Sequence, residues 1–159
     1  MGKYTKLNSR FGILEYPVIL DEMESIVQEF PKTERTFYKY AFKELKKVLK
    51  KDEKIFSFNG ADSKLTKTGF IVVAEHNLIF INLKFGVFGG ADSEVIKYKD
   101  IASVDFDIIP VNVSYVESGI LYLEIKKMFG SKKRTIRNIS EHNLDNIVKA
   151  IRDRLKEVN

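Results

Sequence analysis

The sequence predicts a mainly β protein with α: a seven-stranded antiparallel barrel or sandwich, closed by a C-terminal helix and preceded by an N-terminal helical extension. Three observations predict it. From residue 21 to about residue 51 the apolar residues recur at helical steps, and from Lys54 they switch to the alternation and short apolar blocks of strands. The chain then runs from a strand pattern ending at Ile139 into one amphipathic stretch, residues 140–158. A curled sheet leaves one end of its apolar interior open, and a terminal helix with an apolar stripe covers it.

Taken in order, residues 1–20 show no clear period, with a candidate strand at 11–16. Residues 21–30 place Met23, Ile26, Val27 and Phe30 on one helical face, and Pro31 ends the run. After a candidate cap at Thr33, a second helix continues to Lys51 with Phe37, Ala41, Leu45, Val48 and Leu49 as its stripe. Strands follow at 54–58, 70–74 and 78–83, the last two forming a hairpin about Glu75, His76 and Asn77. That hairpin is apolar on both faces, which places it in the centre. Residues 95–97 form a short strand. Residues 103–109 alternate, with Val104, Phe106 and Ile108 opposite Ser103, Asp105 and Asp107. Pro110 interrupts, 111–116 continues the run, and strands at 120–125 and 135–139 complete the set across a loop at 126–134. The terminal helix directs Leu144, Ile147, Val148, Ile151 and Leu155 at the sheet.

The division expected is residues 1–51 as extension and 52–159 as domain. The chain has 159 residues, 44% hydrophobic and 31% charged, which suits one soluble domain with an appendage. It contains no cysteine, so disulfides and thiolate metal sites are excluded and a reducing compartment is expected. No segment reaches the roughly 20 apolar residues of a membrane span. The expectation is a cytoplasmic protein, peripheral at the membrane if its basic loops bind lipid.

One internal echo pairs residues 58–63 with 88–93, which share Gly, Ala, Asp and Ser in register and read as two similar turns. Neither copy has the Gly-Lys-Ser/Thr of a phosphate loop.

The strand order with a single closing helix resembles the pleckstrin-homology-like (PH-like) folds, most closely the bacterial PH-like domains of the YokE-like group. The matching pieces are Glu53-Lys54-Ile55-Phe56, the run from Gly69 to Ile81, and the run from Val95 to Val104. Ala74 and Asn77 stand where that family usually has threonine and a basic residue. The resemblance covers about residues 52–157 and implies a noncatalytic scaffold of a kind that mediates lipid or protein interaction and often self-associates. The first hairpin loop, 59–68, offers Lys64 and Lys67 rather than the tightly spaced cations of phosphoinositide-binding relatives.

No catalytic constellation stands out. His76 and His142, each within Glu-His-Asn-Leu, lack the second histidine or fixed-spacing partner that a metal or general-base role needs, and suit turn and cap positions. No cofactor or metal is expected, and the protein is read as no enzyme. Two basic clusters remain. Residues 32–54 carry nine basic residues against four acids, which reads as the solvated face of a packed helix. Residues 126–137 hold Lys126, Lys127, Lys132, Lys133, Arg134 and Arg137 with no acid, around Met128, Phe129 and Gly130. With Phe129 at the tip, these are the candidate anionic-surface residues; the alternative is a solvated hairpin with Phe129 folded back on the sheet. The same cations would meet nucleic acid phosphates, but specific nucleic acid binding is not expected. The partners expected are a protein or a second copy of the chain, with an anionic lipid surface as the alternative.

Overall fold

The computed structural model describes residues 11–12, 14–64, 67–84, 89–110 and 117–159. The strand expected at 111–116 lies outside them. After helical residues 11–12, two helices follow among the described residues, α1 (Leu20–Val27) and α2 (Lys32–Val48). Asp21 and Glu22 favour the positive N-terminal end of α1, and the Glu22 carboxylate accepts a hydrogen bond from the Ile19 N–H at 2.9 Å. Pro31 stands at the N-cap of α2, so Thr33, expected as the cap, lies inside the first turn. The buried stripe of α2 is Tyr38, Ala41, Phe42 and Leu45, rotated from the expected one so that Phe37 faces outward. Tyrosine and phenylalanine both suit an aromatic core, and tertiary packing chose between overlapping helical faces. Residues 11–12 are helical rather than the start of a strand, and Val18 makes a lone bridge to Ile55.

Seven strands follow: β1 (Ile55–Lys64), β2 (Lys67–Ala74), β3 (Asn77–Leu83), β4 (Ala91–Lys97), β5 (Ile101–Ile108), β6 (Gly119–Lys126) and β7 (Ser131–Ile139). They form one antiparallel sheet in the order β4-β3-β2-β1-β7-β6-β5. The two ends, β4 and β5, are linked by a 3-10 turn at Tyr98–Asp100, and among the described residues no ladder pairs them. The first copy of the echo, 58–63, lies within β1, whereas the second enters β4 through Gly89 and Gly90, both at positive φ. They are therefore not two similar turns. Ser63 on β1 donates to Asn82 on β3 at 2.7 Å, and Asn82 donates to Asp92 on β4 at 3.1 Å. Gly69 of β2 lies beside this chain, where a Cβ would stand 1.7 Å from the Ile81 carbonyl oxygen. Only glycine fits there.

Helix α3 (Glu141–Val158) completes the molecule, burying Leu144, Ile147, Val148 and Ile151, with Leu155 packed at the margin. The sheet serves two cores. Its inner face joins α3 around Ile71, Phe80, Val104, Leu121 and Ile136, while the outer face of β1 to β3 joins α1 and α2 around Phe58, Phe70, Val72, Ile79 and Ile81. Successive β3 residues alternate between them, Leu78 and Phe80 inward, Ile79 and Ile81 outward. The apolar pattern on both hairpin faces has this cause. In the outer core the Phe58 and Phe70 rings stack at 4.8 Å, with Tyr38 and Phe11 edge-on or tilted around them.

Two buried polar groups lock the connections. The Glu53 carboxylate accepts from the Lys50 N–H at 2.8 Å and the His76 N–H at 3.1 Å, tying the exit of α2 to the β2–β3 turn. The Tyr98 hydroxyl, far above the ordinary tyrosine pKa through burial, lies 2.6 Å from the Ala74 carbonyl oxygen and 3.0 Å from that of Asn77.

Candidate functional site

Strands β6 and β7 meet in a short turn in which the Lys127 N–H donates to the Gly130 carbonyl at 3.0 Å and Gly130 takes φ of 79°. Glycine adopts that conformation without the Cβ cost other residues meet. The strand resumes at Ser131, so the tip is tighter than the loop expected at 126–134. A tight tip leaves its central side chains nothing to pack on. Met128 is 91% exposed and Phe129 is 89% exposed, so Phe129 is not folded back on the sheet.

The cations around the tip divide by direction. Lys126, Lys127, Lys132, Lys133 and Arg137 are exposed. The Lys126 ammonium donates to the Lys99 carbonyl at 3.3 Å, and Lys133 lies 4.3 Å from the centre of the Tyr122 ring. Arg134 differs. It points into the sheet, its side chain only 16% exposed, and makes a bidentate pair with Glu94 of β4 at 2.5 and 3.1 Å. Its guanidinium also covers the Phe80 ring, at 5.6 Å. Period-2 alternation puts Arg134 on the face of Ile136, which is fully buried. The structure thus brings four of the six cations, Lys126, Lys127, Lys132 and Lys133, to the apolar tip, turns Arg134 inward, and leaves Arg137 at the far end of β7, opposite Asp62 of β1.

One acid stands in this patch that the acid-free run 126–137 does not contain. Glu124 lies across the ladder from Lys133 and accepts from the hydroxyls of Ser131 at 2.7 Å and Ser103 at 3.2 Å. Those hydrogen bonds hold its carboxyl below the usual range, so it is ionised at neutral pH. Strand pairing alone reveals it, because Glu124 and Lys133 meet only once the register is known.

The other basic cluster lies along the solvent side of α2, where Lys46 pairs with Glu24 of α1 at 2.7 Å and Lys47 with Glu44 at 2.6 Å. His76 occupies the β2–β3 turn and His142 the first turn of α3. Among the described residues, no group of three or more His, Asp or Glu side chains is placed to hold a metal ion. Among the described residues, no helix is long and apolar enough to cross a membrane.

The outer edge of β5 is blunted by side chains. Asp105 accepts from the N–H of Phe106 and Asp107 from that of Ile108, both at 2.8 Å, and Arg152 of α3 donates to the Val104 carbonyl at 3.2 Å. These satisfy backbone groups that a further strand would need.

The arrangement of seven strands and a terminal helix has relatives. Residues 49–153 match the bacterial PH domain family. The chain is 54% identical over 157 residues to the SPbeta prophage-derived uncharacterized protein YokE of Bacillus subtilis (strain 168), covering 97% of this chain and 98% of that protein. Among solved structures, it is similar to a DUF1696 family protein with a pleckstrin-homology domain from Shewanella loihica PV-4, with a TM-score of 0.50 and 16% identity, covering 87% of this chain and 95% of that one. It is also similar to the hSac2 domain of the human phosphoinositide phosphatase Sac2, with a TM-score of 0.51 and 11% identity, covering 82% and 87%. At those identities the two structures speak for the fold alone. With a family match over most of its length and a relative more than half identical along nearly all of it, the chain belongs to the bacterial PH domain family.

Proposed function

We propose that the chain is a noncatalytic binding module that docks on anionic membrane surfaces through the β6–β7 hairpin. The observation that supports this is the nearly complete exposure of Met128 and Phe129 at a tip flanked by Lys126, Lys127, Lys132 and Lys133. A soluble protein gains nothing in water from two large apolar side chains held out on a tight turn. At a bilayer the same geometry is favourable: burying a side chain of this size contributes about 1.5–3 kcal/mol, and each lysine near an anionic surface about 1 kcal/mol.

Cosedimentation with phosphatidylglycerol and phosphatidylcholine vesicles tests the reading. Binding is expected to anionic vesicles alone and to fall steeply as salt shortens the Debye length to about 8 Å. Charge reversal at Lys132 and Lys133 removes most of the binding and its salt dependence. Phe129→Ala weakens binding at every salt concentration, because insertion is apolar rather than Coulombic. Absence of binding to anionic vesicles at low salt ends the proposal, and equal binding to duplex DNA marks unspecific cation behaviour.

A second reading, a protein-interaction or self-assembly module, is favoured by exposed Val95 on β4 and by Ile108 and Ile109 at the end of β5. Because the β5 edge is capped, such contacts use side chains rather than strand addition. Sedimentation velocity separates the readings: assembly predicts concentration-dependent oligomers that Ile108→Lys abolishes, with no response to vesicles.

A further inference from the structure

Between helices α1 and α2 opens a cleft of about 470 Å³, lined on the α2 side by five cations, Lys32, Arg35, Lys39, Lys43 and Lys46, and on the α1 side by one acid, Glu24. The five cations follow one another at steps of three and four residues, so one face of α2 carries them all. Each step climbs about 4.5–6 Å along the helix, which sets the charges in a row rather than around a point. The four lysines are exposed and Arg35 is partly so, which leaves the row open to a ligand.

Most of this charge is unmatched. Glu24 pairs with Lys46 at 2.7 Å, and among the described residues Lys32, Arg35, Lys39 and Lys43 make no ion pair. Residues 1–10, 13, 65–66, 85–88 and 111–116 contain no Asp or Glu that could supply the missing charge. Like charges at such steps destabilise a helix unless an anion lies against them, and that anion has to come from outside the chain.

Shape and lining select the anion. A flat bilayer reaches the rims of a cleft but not its interior. Nucleic acid strands are held by rings on which their bases stack, and the aromatic side chain in this lining, Phe42, is buried. A compact phosphate meets only part of a row. An acidic polypeptide fits better: carboxylates on alternate residues of an extended chain stand about 6–7 Å apart, close to the cation step, and the flexible lysine stems take up the difference. The Gln28 amide beside the row can donate to and accept from a peptide backbone.

From these observations we infer that the α1–α2 cleft is a docking site for an acidic segment of a partner protein. The site belongs to the helical extension and is independent of membrane docking by the hairpin. The test is fluorescence anisotropy of a labelled poly-glutamate peptide with the full chain, with oligothymidylate of equal charge and tripolyphosphate as competitors. Saturable binding is expected, weakening as salt rises, with both competitors displacing the peptide only at higher charge concentration than unlabelled poly-glutamate. Lys39→Glu with Lys43→Glu weakens binding by at least about tenfold, since two attractive contacts become repulsive. Both side chains are exposed, so this variant is expected to melt as the parent does; should it not, Lys32→Ala with Arg35→Ala serves, with a loss of about fivefold. Lys132→Glu with Lys133→Glu, on the hairpin, leaves the affinity unchanged. No saturable binding at low salt, equal or better displacement by oligothymidylate or tripolyphosphate, or an equal loss from the hairpin pair overturns the inference.

Discussion

Ile151 lies fully buried on the inner face of α3, among Leu144, Ile147 and Val148. Replacing it with aspartate removes that apolar burial and adds a charge with no partner, an expected loss of at least about 4 kcal/mol in denaturant unfolding. A variant as stable as the parent would remove α3 from the core. Asp62 of β1 provides a pH-dependent test. Burial raises its carboxyl above the ordinary 3.8, and the hydrogen bond from the Asn138 amide at 3.3 Å offsets only part of that. A raised folded pKa means that the folded state holds the proton more tightly than the unfolded chain does. The stabilising contribution is then fully present below the unfolded value and is lost as pH rises through the folded one. Asp62→Asn is therefore expected to raise Tm near neutral pH, with the gain closing below about pH 3.8. An equal gain at both ends of that range assigns the effect to packing instead.

At the scale of elements, the β6–β7 hairpin separates a structural cation from exposed ones. Arg134 ties β7 to β4 through Glu94, 40 residues away in sequence, and its loss strands a partly buried carboxylate. Arg134→Ala is expected to lower stability by about 2 kcal/mol while leaving vesicle binding at low salt nearly unchanged. The pair Lys132→Glu and Lys133→Glu should do the reverse, and thermal melts beside cosedimentation compare the two. Glu124 gives a gain-of-function test of the same hairpin. Its ionised carboxylate opposes the surrounding lysines, so Glu124→Gln should tighten binding to anionic vesicles about fivefold. Tighter binding that persists at high salt would assign the gain to something other than charge.

Across the whole molecule, α3 covers the inner face of the sheet, and α1 and α2 cover the outer face of β1 to β3. We expect that residues 1–51, though outside most of the family match, cannot be removed without harm. A truncated chain beginning at Asp52 would expose Phe58, Phe70, Val72, Ile79 and Ile81, a contiguous apolar surface of the kind that aggregates. Gel filtration of the truncated chain should show aggregates or no soluble protein. A stable monomer would mean that the outer face tolerates water and that the helices serve another purpose.

Much of this architecture is legible in the residues themselves, because element type is a local property. The stripe Leu144 to Leu155 has helical spacing, the residues of β2 and β3 are apolar on both faces, and Val104 to Asp107 alternates as a half-wet strand does. The family resemblance followed from the same runs. What lay beyond local pattern was every feature set by distant partners. Spacing alone put Phe37 on the buried face of α2, where packing places Tyr38 instead, and β1 outran its expected end because a polar, glycine-containing stretch pairs with β2 all the same. Nor does any local rule say that Arg134 meets Glu94, that Glu124 faces Lys133, or that Glu24 and Lys39 line one cleft. Alternation tells which face a side chain takes, but the partner it finds there depends on how the sheet curls and where the helices settle. The sequence by itself determined the elements and their apolar faces; the tertiary structure decided which polar groups are consumed in holding the fold and which are left for a surface or a ligand, because hydrogen bonds and charges are matched across space rather than along the chain.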